Sequence, residues 1–330
     1  MNIDNLFDYC LEETVANNSI YFIGNQINNS LFTLCVDNNK IYSYSNEWLY
    51  LIKYYYKEHY WHPMYNNILM HYQNIIETKP NDINGEYKNY NVIPFITSFS
   101  LGTTHGYAGL FYMLNEYIKH YDKYKKYNIL IYENSQQGLL DIINHFINKK
   151  IINKEKVIYV SSNIKYLFNS IEFIPNKWHE YNDNNEVVEL IKNYIIDPKL
   201  HQELNDRICI IKSSLSSNNT HFGMVNDDYI NLFSLKYNLL YLNPSKINEI
   251  CLINMIYNCK LFVVSLGTAF LKNYIYISDS CEEIIVLVIG DEFMRQYKSH
   301  KSSNTLLLKY KNATINYIFA NETLDVINNL

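Results

Sequence analysis

Short apolar runs alternate with amphipathic helical segments from about residue 91 onward, and this alternation constrains the fold more than any other feature. The runs VIPFITSFS, NILIYEN and KVIYVSS are rich in β-branched and aromatic residues, which is typical of buried strands. Helical segments lie between them. Strands that alternate with helices usually form a parallel sheet covered by those helices. The sequence therefore predicts an α/β protein.

Two of these helical segments indicate which face points into the core. In GYAGLFYMLNEYIKHYDKY, the predicted inward residues are Tyr107, Leu110, Phe111, Leu114, Ile118 and Tyr121. In QQGLLDIINHFINKK, they are Leu139, Ile142, Ile143 and Phe146. An apolar stripe at this spacing packs against another element in a soluble domain.

A second alternation begins near residue 206, which predicts a second domain. Its predicted strands are RICIIKSS, LLYLNP, LFVVS, EEIIVLVIG and ATINYIF, and its predicted helices are DDYINLFSLKYN and SKINEICLINMIYNCK. An Asn-rich stretch and the helix-terminating Pro198 precede it. We predict an amino-terminal domain over 1–200, irregular over 1–90 and α/β over 91–200, and a carboxyl-terminal domain over 201–330. Within 1–90, SIYFIG, LFTLCVD and KIYSYS predict short strands, and EWLYLIKYYYKEHYW suggests a helix.

The composition excludes several classes of protein. Hydrophobic residues make up 48% of the chain and charged residues 18%, which is a globular balance. The net charge is −5, and KYKK at 123–126 is too short for a nucleic-acid footprint and predicts a solvated helix end. We expect no signal peptide and no membrane span, because the first residues, MNIDNLFDYCLEE, are acidic and no apolar run reaches about 18 residues. The six cysteines contain no C-x-x-C pair, so we expect no metal site and a cytoplasmic, reducing location, the host cytoplasm if the source is viral.

Glycine is scarce, with 9 in 330 residues, yet one lies directly after a predicted buried strand in LFVVSLGTAFLKN. Ser265 ends the strand, and Gly267 is followed by the small residues Thr268 and Ala269. Parallel sheets bind ligands beyond the carboxyl ends of their strands, and glycine lets the backbone approach a ligand closely. The turn therefore suits a phosphate group; the alternative is that Gly267 only makes the turn.

A basic, hydroxyl-rich segment follows another predicted strand of the same domain. RICII is followed by Lys212, Ser213 and Ser214, and His221 lies further along the same loop. A cation with several hydroxyls suits a diphosphate, and His221 is a possible further ligand contact. The alternative is a polar surface loop. Together, the two strand ends predict one nucleotide-binding site.

The order of these segments resembles the carboxyl-terminal half of the family 61 glycosyltransferases. In that family a strand ends in Ser-Arg and is followed by a helix, a strand and an acidic helix. A further strand then leads into His-Gly-Ala/Ser-(Gly)-Leu-Thr-Asn. Here Lys212 stands in place of the Arg, Leu266 in place of the His, and Asn273 in place of the final Asn. The resemblance covers roughly 100–290 and is specific over 208–275.

The amino-terminal segment THGYAGLFYMLNEY is similar to that family's His-aromatic segment at a helix start, which implies His105 as a general base for an acceptor hydroxyl. A helix-capping or core histidine is the alternative for His105. Glu133, directly after NILIY, is a second candidate base, and a solvated loop carboxylate is its alternative.

The resemblance implies two Rossmann-like domains that face one another across a cleft, the GT-B arrangement. It further implies an inverting, metal-independent transfer of sugar from a nucleotide-sugar donor to a glycan or other hydroxyl acceptor, without a separate cofactor. Because Lys212 and Leu266 differ from the family pattern, a sugar- or nucleotide-binding module without activity is one alternative. The other is an unrelated two-domain α/β enzyme that acts on a phosphorylated metabolite.

Overall fold

A computed structural model describes residues 7–9, 14–25, 31–37, 40–43, 82–96, 104–174, 185–198, 206–210, 227–265, 273–289 and 313–320. The chain divides into two units, Met1–Trp178 and His179–Leu330, whereas the sequence pattern places the division at residue 200. Asn254 shows why the segment before residue 200 belongs with the second unit. Its buried amide accepts a hydrogen bond from the Asp197 backbone N–H (2.8 Å) and donates one to the Ile195 carbonyl (3.2 Å).

The first unit contains a mixed sheet of eight strands with the order β1-β4-β3-β2-β8-β5-β6-β7. The strands are β1 Phe7–Tyr9, β2 Thr14–Asn25, β3 Leu31–Asp37, β4 Lys40–Ser43, β5 Asn91–Pro94, β6 Asn128–Tyr132, β7 Val157–Val160 and β8 Lys165–Phe173. The neighbours β8, β5, β6 and β7 pair in parallel, whereas β2 pairs antiparallel with both β3 and β8. The α/β class is confirmed, and the sheet of this unit is mixed.

Three helices belong to the parallel part of this unit: α1 Thr104–Lys119, α2 Tyr121–Tyr124 and α3 Gln137–Asn148. All four predicted inward residues of α3 are buried, and so are Tyr107, Leu110, Phe111 and Leu114 of α1. The prediction for Tyr121 is wrong, because α1 ends at Lys119 and the chain turns at His120 before Tyr121, which is 41% exposed. The helix suggested within 47–61 lies outside the described residues.

A buried ion pair joins α2 to β8. The Glu172 carboxylate on β8 is 1% exposed, and its Oε1 lies 2.6 Å from Nζ of Lys123 on α2. In the part of the chain that the structure describes, no other group donates a hydrogen bond to either oxygen of this carboxylate. The KYKK segment is therefore not simply a solvated helix end, because the ammonium of Lys123 neutralises a charge inside the unit.

The second unit contains a parallel sheet with the order β10-β9-β11-β12-β13. Its strands are β9 Arg207–Ile210, β10 Leu240–Tyr241, β11 Leu261–Ser265, β12 Glu283–Ile289 and β13 Thr314–Ala320, and its helices are α4 Asn185–Tyr194, α5 Asp227–Lys236 and α6 Glu249–Tyr257. One apolar cluster joins α5 to the sheet through Cys209, Ile230, Phe233, Leu239, Leu261, Val263 and Leu287. Each element of this sheet coincides with an apolar run named from the sequence.

Two helices of this glycine-poor chain end in a left-handed residue that is not glycine. After α3, Lys150 has φ 60°, its N–H donates to the Ile147 carbonyl, and the Ile151 N–H donates to the Phe146 carbonyl. After α5, Asn238 takes the same position with φ 53°. Glycine is the usual residue there, because the left-handed region brings a Cβ close to the following carbonyl oxygen.

We expect Lys150→Gly to raise the free energy of unfolding of the first unit by about 1 kcal/mol, because it removes the Cβ from this left-handed position. Urea denaturation followed by circular dichroism measures the change. Lys149→Gly is the matched control, because Lys149 has φ −75° and gains nothing from glycine. An unchanged or lower stability of Lys150→Gly, relative to the natural chain, would contradict the explanation.

Candidate functional site

The strand order of the second sheet reverses between β9 and β11. From β9 the chain passes through α5 to β10 on one side, and then through α6 to β11 on the other side of β9. The two central strands pair in parallel, with Val263 opposite Cys209 and Val264 opposite Ile210. In parallel α/β sheets, a reversal of this kind opens a crevice at the carboxyl ends of the two central strands, where ligands bind. The second unit therefore has the strand order of a ligand-binding α/β sheet.

Both segments predicted to bind a donor diphosphate leave the sheet at this reversal. Lys212 lies two residues beyond Ile210, the last residue of β9, and Gly267 lies two residues beyond Ser265, the last residue of β11. The side chains of Lys212, Ser213, Ser214 and His221 lie outside the described residues, as do Gly267, Thr268 and Ala269. The described strand ends place the starting points of both segments side by side at one sheet edge.

The structure describes two further predicted donor residues, Ser265 and Asn273, and both are buried. Ser265 is 2% exposed at the end of β11, and Asn273 is 1% exposed where the described chain resumes after the turn. Side chains this deeply covered offer little surface to a ligand. We expect Ser265 and Asn273 to fix the two ends of the turn, so that ligand contacts come from the residues between them.

A buried carboxylate that the sequence did not single out lies at the same sheet edge. Because α6 connects the carboxyl end of β10 to the amino end of β11, its first residue, Glu249, lies at the carboxyl edge. Glu249 is 3% exposed and accepts a 3.0 Å hydrogen bond from the Tyr276 hydroxyl. Asn248 caps the helix by accepting from the Ile250 N–H. An Asn-Glu pair before an apolar run signals this helix start in the sequence.

The Glu249–Tyr276 hydrogen bond anchors the segment that begins at Asn273 to the start of α6. Tyr276 also donates its backbone N–H to the Asn273 carbonyl at 3.0 Å. Burial raises the pKa of the neighbouring Tyr274 hydroxyl above its ordinary value, as expected for a phenol inside a packed segment. The described segment that begins at Asn273 is thus packed and held by hydrogen bonds.

In the first unit, the two candidate bases lie at the carboxyl ends of neighbouring parallel strands. His105 is in the first turn of α1, which connects the carboxyl end of β5 to the amino end of β6, and Glu133 directly follows β6. The side chain of His105 is not among those the structure describes. The Tyr107 hydroxyl donates to Oε1 of Gln136 at 3.0 Å, which ties the start of α1 to the loop that carries Glu133.

Glu133 is exposed and held by hydrogen bonds. Its Oε1 accepts from the Ser161 hydroxyl at 2.5 Å, and its backbone N–H donates to the Val160 carbonyl at 3.1 Å. The Ser161 N–H in turn donates to the Tyr166 hydroxyl at 3.0 Å. This arrangement orients a solvent-accessible carboxylate at the edge of the sheet, which is compatible with both roles considered for Glu133, a base and a solvated loop residue.

Among the described residues, no three His, Cys, Asp or Glu side chains are grouped closely enough to hold a metal ion. No helix in the described ranges has the length and apolar character needed to cross a membrane. No protein-family profile matches the chain, and no curated protein matches it significantly. The function is therefore inferred from the strand order and from the residues at the two sheet edges.

Proposed function

We propose that the protein is an inverting glycosyltransferase that transfers a sugar from a nucleotide-sugar donor to a glycan or other hydroxyl acceptor. One observation supports the donor site above all others: the carboxyl ends of β9 and β11 are neighbours at the strand-order reversal of a parallel sheet. The resemblance of 208–275 to family 61 supports sugar transfer as the reaction at that site. The proposal includes the GT-B arrangement of two Rossmann-like domains that face a cleft.

The donor side of the mechanism depends on positive charge and backbone amides. Departure of a nucleoside diphosphate leaves negative charge on the β-phosphate, and groups already in place to receive that charge lower the barrier. Lys212 supplies an ammonium, Ser213 and Ser214 supply hydroxyls, and the backbone N–H groups around Gly267 supply further donors. In other transferases a divalent ion stabilises this negative charge. Here these groups stabilise it instead, so the proposed reaction is metal-independent.

The acceptor side depends on a base in the first unit. His105 or Glu133 takes the proton from the acceptor hydroxyl as its oxygen attacks the anomeric carbon and the bond to the diphosphate breaks, which inverts the configuration. The hydrogen bond between Tyr107 and Gln136 supports a shared location of these two bases, because it joins the elements that carry them.

A screen of nucleotide-sugars with the full chain, in the presence of a metal chelator, tests the proposal. Thermal stabilisation by a nucleotide-sugar together with release of the nucleoside diphosphate supports the transferase. Stabilisation without turnover supports the alternative, a binding module without activity. This is the second candidate because Lys212 replaces the family's Arg and Leu266 replaces its His. If no nucleotide-sugar or nucleoside diphosphate binds, both are wrong.

Two single substitutions identify the base. We expect either His105→Gln or Glu133→Gln to lower the transfer rate by about 100-fold or more, because removal of a general base costs about 10²–10⁴ in rate. Donor affinity stays unchanged, since neither residue contacts the diphosphate in this mechanism. Initial rates across a pH range and nucleoside diphosphate affinity are the measurements. Unchanged rates in both variants would show that the base lies elsewhere.

A further inference from the structure

Two cysteines that are not joined in a disulfide lie near one another at the amino ends of β11 and β12. Leu261 and Glu283 are the first paired residues of the two strands. Cys259 lies two residues before Leu261, and Cys281 lies two residues before Glu283. The two chains stay adjacent before the strands begin, because the N–H groups of Glu282 and Glu283 both donate to the Lys260 carbonyl at 2.8 and 3.1 Å. A side-chain hydrogen bond joins the thiols of Cys259 and Cys281.

This register suits a disulfide. Neighbouring strands lie about 4.7–4.9 Å apart, and the Cα atoms of bonded cysteines are usually about 4.4–6.8 Å apart. The Cys281 thiol lies 3.5 Å from the carbonyl oxygen of Lys260 and 3.4 Å from that of Glu283. Because Lys260 directly follows Cys259, the sulfur of Cys281 lies against the peptide next to its partner.

Both thiols are buried, with Cys259 0% and Cys281 2% exposed. A hydrogen bond with Cys281, together with burial, raises the pKa of the Cys259 thiol well above its usual range. Since the thiolate is the reactive form, we expect the buried pair to react with oxidants more slowly than an exposed thiol does. Cys251, in the same unit, is exposed and serves as an internal comparison.

We propose that Cys259 and Cys281 are a disulfide-forming pair, and that their oxidation covalently links the amino ends of β11 and β12. With hydrogen peroxide as oxidant, the two thiols lose two electrons and two protons, one S–S bond forms, and the peroxide is reduced to two water molecules. The closed loop contains β11 and the segment 265–273. The inference is independent of sugar transfer, because it uses only the register and the thiols.

Peptide mapping tests the proposal on the full chain. Trypsin cleaves after Lys260 and Lys272, so Cys259 and Cys281 fall on different peptides that stay joined only through a disulfide. Cys251 lies on the same tryptic peptide as Cys259, so the experiment uses the Cys251→Ser variant of the full chain. This variant is treated with peroxide, then unfolded, and its remaining thiols are then alkylated. We expect the peptides of Cys259 and Cys281 to be found linked, and the linked pair to disappear on reduction. We expect Cys209 to be fully alkylated, because it is a single buried thiol beside Ser234.

Two further measurements separate this pair from unspecific oxidation. In the native Cys251-containing chain, the exposed Cys251 reacts with an alkylating agent before Cys259 and Cys281 do. The oxidised Cys251→Ser chain melts about 5–10 °C above its reduced form, because a closed loop restricts the unfolded chain. Neither the Cys259→Ser nor the Cys281→Ser variant shows this rise in melting temperature. The proposal is overturned if both thiols remain free after peroxide treatment, or if Cys281 links to a cysteine other than Cys259.

Discussion

Replacement of Lys212 by Ala strongly lowers donor turnover while the second unit stays folded. Lys212 is the cation closest in sequence to the end of β9, and the proposed mechanism gives it the charge that develops on the departing diphosphate. Removal of one positioned donor from a site of developing charge costs about 10²–10³ in rate. We therefore expect kcat/KM for the nucleotide-sugar to fall by about 100- to 1,000-fold, and nucleoside diphosphate affinity to fall as well.

Lys236 provides a matched control in the same unit. It lies in the last turn of α5, and since α5 leads from the carboxyl end of β9 to the amino end of β10, Lys236 lies at the opposite edge of the sheet. Lys236→Ala keeps the natural rate, and Lys212→Arg keeps most of it, because the guanidinium also binds phosphate. Natural turnover and natural nucleoside diphosphate affinity in Lys212→Ala would refute the donor site at this edge.

Replacement of Lys123 by Met destabilises the first unit by about 2–4 kcal/mol. Removal of one partner from a fully buried ion pair costs about 3–5 kcal/mol, because the other charge is left without compensation. Glu172 is 1% exposed, but the Lys123 side chain is 41% exposed, so water screens part of the interaction and the cost lies below the upper limit. Urea denaturation of the full chain, followed by circular dichroism, measures the loss.

A second substitution separates the loss of charge compensation from the loss of packing. Glu172→Gln in the Lys123→Met chain removes the isolated charge, so we expect it to restore most of the lost stability. Lys125→Met is the control: Lys125 forms a pair of the same 2.6 Å length with Asp122, but both side chains are more than half exposed. That control leaves the denaturation midpoint unchanged. A double variant no more stable than Lys123→Met alone would contradict the role of Glu172.

The mixed sheet of the first unit was only partly predictable from the sequence. The run SIYFIG lies within β2, LFTLCVD is β3, and KIYSYS contains β4, but nothing indicated β8. Its buried positions include Ser170 and Glu172, which interrupt the apolar alternation that marks a strand. Glu172 tolerates burial because Lys123 reaches it from α2, a contact between residues 49 positions apart that no local pattern encodes.

For the candidate site, the sequence indicated the chemistry, and the tertiary structure decided which groups meet. Local patterns were sufficient to predict RICII and LFVVS as strands, with Lys212 after the first and Gly267 after the second. Hydrophobic periodicity and turn chemistry act over only a few residues, so both can be recognised in the sequence. Glu249 and the pairing of Cys259 with Cys281 were not recognisable, since both depend on contacts between separate elements.

The sequence by itself indicated the strands of the second unit, its helices α5 and α6, and the polar residues that follow β9 and β11. Only the tertiary structure decided that β10 lies on one side of β9 and β11 on the other, so that Ile210 and Val264 are neighbours. The physical reason is that hydrophobic periodicity specifies which face of a strand is buried, whereas the order of strands follows from how α5 and α6 pack across the sheet.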